Sequence, residues 1–324
     1  MELDVQTVIK VAAYAGAGIA MGFGAIGAAI GVGYTAAKAD FAISRKPELS
    51  SIIFKNMLVG QAIAESASIF SLVIAVLLFF IDIPMPTLLK AAALLGAGLS
   101  MGFGAIGSGV GSGYPAGEAC TGIAHQPEIT VKLITNMLIG SAVCQTPAIF
   151  SMVVALMLMF IDFGNAPLNP TWAAFVGAGL SMGLAAIGSG YGGGLAARAS
   201  CEGIARQPET VANVTTTMLV GQAVAQTPSI FGMLVSFILM FKSFPESSAL
   251  SASMALLAAG ICTGFGGIGP GIGNGMVAEE AVRWVARNVE QAGTLMRTML
   301  VGQAVSQSTA IYAMVVSLVL IFVV

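Results

Sequence analysis

Apolar residues run through this chain in long blocks, each broken by a short polar cluster and then resumed. The clusters repeat. Arg45-Lys46-Pro47-Glu48 returns as His125-Gln126-Pro127-Glu128, Arg206-Gln207-Pro208-Glu209 and Arg287-Asn288-Val289-Glu290. Gly24-Ala25-Ile26-Gly27 returns as Gly104-Ala105-Ile106-Gly107, Ala185-Ala186-Ile187-Gly188 and Gly266-Gly267-Ile268-Gly269. A third signature, Gly60-Gln61-Ala62-Ile63-Ala64-Glu65-Ser66, returns at Gly140, Gly221 and Gly302. All three step by 80, 81 and 81 residues, so one unit has been copied four times. Each unit reads as helix, short polar loop, helix; the first arm is rich in Gly and Ala, the second in Leu, Val, Ile and Phe. Linkers such as Asp82-Ile83-Pro84-Met85-Pro86 and Phe163-Gly164-Asn165-Ala166-Pro167 separate the units, giving expected hairpins at 1–84, 85–165, 166–246 and 247–324.

The apolar blocks exceed the roughly 20 residues that cross a bilayer. In lipid every backbone polar group must be satisfied within the segment, so helix is the expected conformation. The predicted fold is therefore all-α and integral to the membrane, with eight transmembrane helices as four tandem hairpins. Composition agrees: the 324 residues are 57% hydrophobic and 9% charged, with a mean hydropathy of +0.92. A soluble domain carries far more charge. The 41 glycines suit closely packed membrane helices. Arms longer than a bilayer is thick are expected to project past it at the Arg/Gln/Pro loops. Met1-Glu2-Leu3-Asp4 lacks the basic segment of a cleavable signal peptide, so the first helix is expected to be retained.

Charge orients the hairpins. Lys38, Arg45, Lys46, Lys55, Lys132, Arg198, Arg206, Arg283, Arg287 and Arg297 lie toward the loops; only Lys10, Lys90 and Lys242 lie toward the linkers. The positive-inside rule predicts cytoplasmic loops and both termini on the opposite side. A net charge of -2 gives no reason to expect nucleic acid. Cys120, Cys144, Cys201 and Cys262 are scattered and read as small apolar filler rather than a metal or disulfide framework. Gly22-Phe23-Gly24-Ala25-Ile26-Gly27 matches a dinucleotide-binding fingerprint, but it lies inside an apolar helix without a preceding strand. Its small residues are read as a helix-packing surface of an inner layer.

One residue stands out chemically. Glu65 lies midway along the second arm of its hairpin, whereas the other carboxylates lie near loops, linkers or the N-terminus. An ionisable group there costs about 2.5 kcal/mol or more on insertion scales, and such groups mark ion pathways. The counterparts are Gln145, Gln226 and Gln307, each followed, like Glu65, by a hydroxyl: Ser66, Thr146, Thr227 and Ser308. Glutamine reproduces the shape of a protonated carboxyl but cannot release a proton or balance a cation. Three of four hairpins thus read as non-carrying copies. The alternative is a structural carboxyl hydrogen-bonded to Gln61. The chain offers no nucleophile–base pair, and its one histidine, His125, occupies a loop position; no catalytic site is expected on it.

Gly60-Gln61-Ala62-Ile63-Ala64-Glu65-Ser66, continuing into Ile69-Phe70-Ser71-Leu72-Val73-Ile74, resembles the outer helix of the proteolipid (the c-subunit) of F-type ATP synthases. The inner-arm glycines and the Arg206-Gln207-Pro208 type of loop resemble that proteolipid too, over essentially the whole chain. Four fused hairpins with fewer carboxylates than hairpins also resemble V-type proteolipids. The resemblance implies a rotor ring of further copies, alone or together with other proteolipids. That ring turns against a stator, the a-subunit, whose arginine prevents short-circuiting. The resemblance implies ion carriage on Glu65, with Ser66 and Gln61 alongside, coupled to ATP hydrolysis or synthesis. It also implies loops that meet the central stalk through Arg45, Gln126, Arg206 and Arg287. No cofactor is implied beyond the transported H+ or Na+.

Glu65-Ser66 resembles sodium-binding rings, which add a Gln on the inner helix. At that position the chain is read as having Val32, Ser112, Gly192 and Asn274, so the ligand is missing from hairpin 1 and protons are the expected ion, Na+ the lesser alternative. One carrier per four hairpins predicts gearing for pumping. The competing reading is a passive channel or structural proteolipid ring.

Overall fold

The computed structural model describes residues 4–82, 87–162, 164 and 166–324. Residues 1–3 lie outside that set, as do Ile83, Pro84, Met85, Pro86, Phe163 and Asn165, and with them much of both linkers and the expected boundaries at 84/85 and 165.

Four Gly/Ala-rich helices form an inner arc: α1 (Val5–Arg45), α3 (Leu88–His125), α5 (Leu168–Arg206) and α8 (Leu250–Arg287). Their partners form an outer arc: α2 (Ser50–Phe80), α4 (Thr130–Phe160), the pair α6 (Val211–Ala225) and α7 (Thr227–Phe241), and α9 (Ala292–Val323). Within each hairpin a one-turn 3-10 segment joins the arms: Pro47–Leu49, Pro127–Ile129, Pro208–Thr210 and Val289–Gln291. In three of them proline occupies the first position, where its missing N–H costs nothing. Hairpin 4 makes the same turn with Val289. Eight segments of the described chain are long and apolar enough to span a membrane. The protein is an integral, multi-pass membrane protein, all-α, of four hairpins.

Helices α1, α3, α5 and α8 pack in that order; the outer helices of hairpins 1 to 3 each cover their own inner helix and the next one, and α9 covers α8. The inner contacts are close. A methyl group on Gly183 of α5 would lie 2.7 Å from the Leu99 carbonyl of α3, and one on Gly16 of α1 2.8 Å from the Leu94 carbonyl. Apolar burial falls into two main slabs. One, toward the linkers, includes Leu94, Met101, Phe175 and Met182; the other, toward the loops, includes Ile53, Ile123, Leu133 and Val214. Between them lie buried Ser108, Ser112, Gln145, Gln222, Gln226, Asn274, Gln303 and Gln307.

Inner and outer arms meet through paired small residues. Gly24 faces Ser71, and Gly104 faces Ser151. In hairpin 3 the sizes are exchanged: Ala185 stands in the inner arm and Gly232 in the outer, with 2.7 Å left for a methyl group on Gly232. Hairpin 4 returns to glycine inside, with Gly266 facing Ala313. The total volume is held while its donor changes, as close packing demands. Gly232→Ser is therefore expected to destabilise the solubilised chain by about 1–3 kcal/mol, the usual cost of overpacking. Adding Ala185→Gly should recover most of that loss, because it recreates the Gly104/Ser151 pair; a double-mutant cycle on unfolding in detergent measures the coupling.

Candidate functional site: the mid-span polar layer

Glu65 sits at the centre of α2 and is exposed in the single chain. Gln145, Gln226 and Gln307 occupy the same level of α4, of the α6–α7 joint and of α9, and are at most 8% exposed. The difference lies in what precedes each one. Gln145 Nε2 donates to the Ile63 carbonyl of the preceding hairpin at 3.0 Å and to Ser112 Oγ of its own inner helix at 2.7 Å. Gln226 Nε2 donates to the Val143 carbonyl of the preceding hairpin at 2.7 Å. In hairpin 4, Asn274 of the inner helix reaches the preceding hairpin's Val224 carbonyl at 3.4 Å and also donates to Gln307 Oε1 at 2.7 Å. Each glutamine station is thus built from its own hairpin and the outer helix of the one before. Among the described residues nothing hydrogen-bonds the Glu65 carboxylate, and none of them forms a hairpin on that side of α1 and α2.

Two of the three carbonyls that accept these amides, Val143 and Val224, have a cause in the sequence. Pro147 and Pro228 lie two residues after Gln145 and Gln226. A proline inside a helix removes the bond to the carbonyl four residues back, here Val143 and Val224. In a membrane helix such a freed group must find another partner. Gln226 and Asn274 supply it. Helix α4 continues through Pro147, whereas the helix divides at Gln226 into α6 and α7. Hairpin 1 has Ala67 where hairpin 2 has Pro147. Glutamine and proline go together in hairpins 2 and 3, whereas Gln307 of hairpin 4 is followed by Thr309 at that position. Sequence reasoning missed the proline, although a mid-span proline beside a buried amide is the available signal.

One turn toward the loops a second row of amides stitches the hairpins together. Gln222 Nε2 donates to Gly193 O of its own hairpin and Gly140 O of the preceding one, both at 3.0 Å. Gln303 Nε2 repeats this with Asn274 O at 3.0 Å and Gly221 O at 3.1 Å. Gln61 Nε2 makes the own-hairpin half, to Val32 O at 3.3 Å. These bonds correct one register reading: the residue equivalent to Val32, Ser112 and Asn274 is Gly193, not Gly192. The 81-residue step from Ser112, and on to Asn274, gives Gly193 as well, and its carbonyl accepts Gln222 as that of Val32 accepts Gln61. Ser66 Oγ donates to Ile63 O at 2.7 Å, the same carbonyl that receives Gln145. Thr146 and Thr227 are half-buried beside their glutamines, and Ser308 Oγ donates to Val305 O at 2.7 Å.

At the loop end, Arg45, Arg206 and Arg287 are exposed and Gln126 half-buried, each adjoining its turn. Arg45 stacks on Phe41, Arg287 on Trp284, and Arg206 pairs with Glu202 at 2.6 Å. Below them runs a charge belt that single motifs do not reveal. Lys38 pairs with Glu118 at 2.7 Å, and Tyr34 donates to Glu118 at 2.7 Å. Arg198 pairs with Glu279, which Arg283 also reaches at 3.0 Å; Arg283 extends to Glu202 at 3.7 Å. Lys38 with Glu118, Arg198 with Glu279 and Glu202 with Arg283 are equivalent positions in successive hairpins. Comparing the repeats for sign reversal is the signal that finds them.

Tandem hairpins, a Gly/Ala inner layer, a Leu/Val/Ile/Phe outer layer and a mid-span row of Glu and Gln define a membrane proteolipid. A family model for the ATP synthase C-subunit matches residues 15–78, 95–158, 176–239 and 257–320, one match per hairpin. The chain belongs to the ATP synthase C-subunit family. Among its relatives, the K-subunit of the A-type ATP synthase of Methanocaldococcus jannaschii is 30% identical over 199 residues, 61% of this chain and 83% of that protein. The ATP synthase c-subunit of Mesomycoplasma hyopneumoniae is 48% identical over 73 residues, 22% of this chain and 71% of its own length. The chloroplastic ATP synthase c-subunit of Ostreococcus tauri is 47% identical over 78 residues, 24% of this chain and 95% of its own.

The bridging amides should carry measurable stability. Gln222→Leu removes two inter-helix bonds and is expected to cost the solubilised chain about 1–3 kcal/mol. Gln61→Leu removes one bond from a half-exposed position and should cost clearly less; equal losses in a denaturant titration would refute the bridging role.

Proposed function

We propose that the chain is a rotor-ring component of a rotary ATPase that carries one ion per four hairpins, on Glu65. The observation that supports this most is the contrast along the mid-span row. Three stations hold buried neutral amides bonded to the preceding hairpin, and one, unbonded and exposed in the single chain, keeps a carboxylate. By the repeat geometry, the carbonyl that Ile63 offers to Gln145 corresponds to Val305 in hairpin 4. A neighbouring hairpin 4 would then present Val305 O and the Ser308 hydroxyl to Glu65, and Gly302 O to Gln61. In this reading Ser66 serves Gln145, and the hydroxyl beside Glu65 is Ser308 of the neighbour.

The carried ion in this proposal is the proton. Val32 supplies no side-chain oxygen where hairpin 2 has Ser112 and hairpin 4 has Asn274. A hard cation needs several oxygen ligands, and a protonated Glu65 needs only one acceptor, which Val305 O provides. The loops face the cytoplasm, toward the central stalk, because Lys and Arg concentrate there. With three copies in a ring and three ATP per turn, one ion moves per ATP. Lifting one charge costs about 2.3 kcal/mol per 100 mV, well within the free energy of ATP hydrolysis, so the gearing favours pumping.

Carbodiimide labelling tests the assignment: Glu65 should be the modified residue, Glu65→Gln should abolish both labelling and ATP-driven transport, and sodium at fixed pH should give no protection. Sodium protection would overturn the proton. In reconstituted vesicles an ion-to-ATP ratio of about three or more, each charge costing about 2.3 kcal/mol per 100 mV, would overturn the gearing. Glu65 labelling without any coupling to ATP would favour the passive ring.

A further inference from the structure

We propose that the linker end of hairpin 3 is a binding site for an anionic phospholipid, whose phosphodiester is held by Lys242, Ser243 and Thr171. The site lies away from the mid-span row and does not depend on the rotor reading.

The repeats differ at this end. Hairpins 1 and 2 each carry a lysine near the start of the inner arm, Lys10 and Lys90, and an Ile-Asp pair just past the outer arm, Ile81-Asp82 and Ile161-Asp162. In hairpin 2 these groups meet. Lys90 Nζ donates to the Ile161 carbonyl at 3.2 Å, and the Asp162 carboxylate attracts it. In hairpin 3 the same three positions hold Thr171, Lys242 and Ser243. The cation has moved to the outer arm, and its carboxylate is gone.

That exchange changes both space and charge. Threonine is too short to cross to the outer arm as Lys90 does, and a cavity of about 440 Å³ opens here, within the size range of small-molecule sites. Thr171, Lys242 and Ser243 line it, and Phe175, Met240 and Phe244 give it an apolar wall. Thr171 is 5% exposed, and its hydroxyl has no hydrogen-bond partner among the described residues. An orphan hydroxyl in such surroundings is costly until an acceptor oxygen answers it. Lys242 forms no ion pair among the described residues. Its ammonium lies instead 4.4 Å from the ring centroid of Phe244 and 5.7 Å from that of Phe322. Among the described residues Asp162 is the one carboxylate on the cavity wall, and Lys90 already offsets it. Glu246, exposed in the same linker, does not line the cavity. One positive charge is left over, beside an unsatisfied donor and an apolar wall.

Depth in the membrane selects the occupant. The 15 residues of α7 rise about 22 Å from Gln226, more than half of the roughly 30 Å hydrocarbon thickness, so its end emerges among headgroups. The linker is pinned over the site: Phe244 is buried, and Ser247 N donates to Asn169 O at 3.3 Å. Phe241, which also lines the cavity, is exposed and carries the apolar wall out to the lipid-facing surface. A soluble anion would match the charge and leave that apolar path unused. A phospholipid matches both, with its phosphate oxygens on Lys242 and the two hydroxyls and an acyl chain along Met240 and Phe241. The leftover positive charge favours a lipid of net negative charge over a zwitterionic one.

Native mass spectrometry of the full-length protein in detergent, titrated with phosphatidylglycerol or phosphatidylcholine, tests the site. One phosphatidylglycerol per chain is expected to survive collision energies that strip phosphatidylcholine; equal retention of the two overturns the proposal. Lys242→Gln should weaken phosphatidylglycerol binding about fivefold, the usual contribution of one basic residue beside anionic lipid; unchanged binding also overturns it. Thr171→Lys, Lys242→Ile and Ser243→Asp together restore the ending of hairpin 2 and should abolish the bound lipid, so a folded triple variant that retains it counts against the site. Inorganic phosphate in millimolar excess should leave the lipid in place. Displacement by phosphate would reassign the cavity to a soluble anion and refute the lipid.

Discussion

Burying leucine against leucine gains little between helices in a bilayer, because lipid already offers the same contact. What holds such helices together is close backbone approach, and here that approach is carried by Gly and Ala along α1, α3, α5 and α8. At the glycine contacts the spacing leaves no room for a side chain between inner helices. Bulk is displaced to the outer arc, where exposed Leu, Val, Ile and Phe of α2, α4 and α9 meet lipid. It also brings each outer helix within reach of two inner helices, so an amide on one outer arm can touch its own hairpin and the previous one. The polar row at mid-span follows from that geometry.

Within the row, carboxylate loss goes with proline gain in hairpins 2 and 3, whereas hairpin 4 has Gln307 with Thr309 in the proline's place. A proline frees a carbonyl in an apolar layer, and an unpaired carbonyl there is costly. A glutamine in the next hairpin answers Val143; an asparagine on the next inner helix answers Val224. Gln145, by contrast, uses Ile63, a carbonyl that no proline has freed. The neutral stations have thus become structural joints, which a group that must take up and release an ion could not be.

Much of this was legible from residues alone. The 80- and 81-residue steps gave the hairpins, and an acid at the centre of an apolar arm gave Glu65 its standing. Two things were not legible, for physical reasons. The hydroxyl adjacent in sequence, Ser66, need not be adjacent in space: neighbouring residues on a helix point about a quarter-turn or more apart, and Ser66 turns toward the following hairpin. The charge belt joins residues about eighty positions apart whose signs make sense only in pairs.

The exchange of Ala185 and Gly232, together with the alternating charges, has a consequence for inheritance. A sequence repeated four times invites unequal recombination, which deletes whole units and leaves the reading frame intact. Here the units are no longer interchangeable. Excising hairpin 2 would remove Glu118 and set Lys38 against Ala199, stranding its charge. A shortened chain would carry mismatched faces, so the small differences among the copies act as a guard on their number.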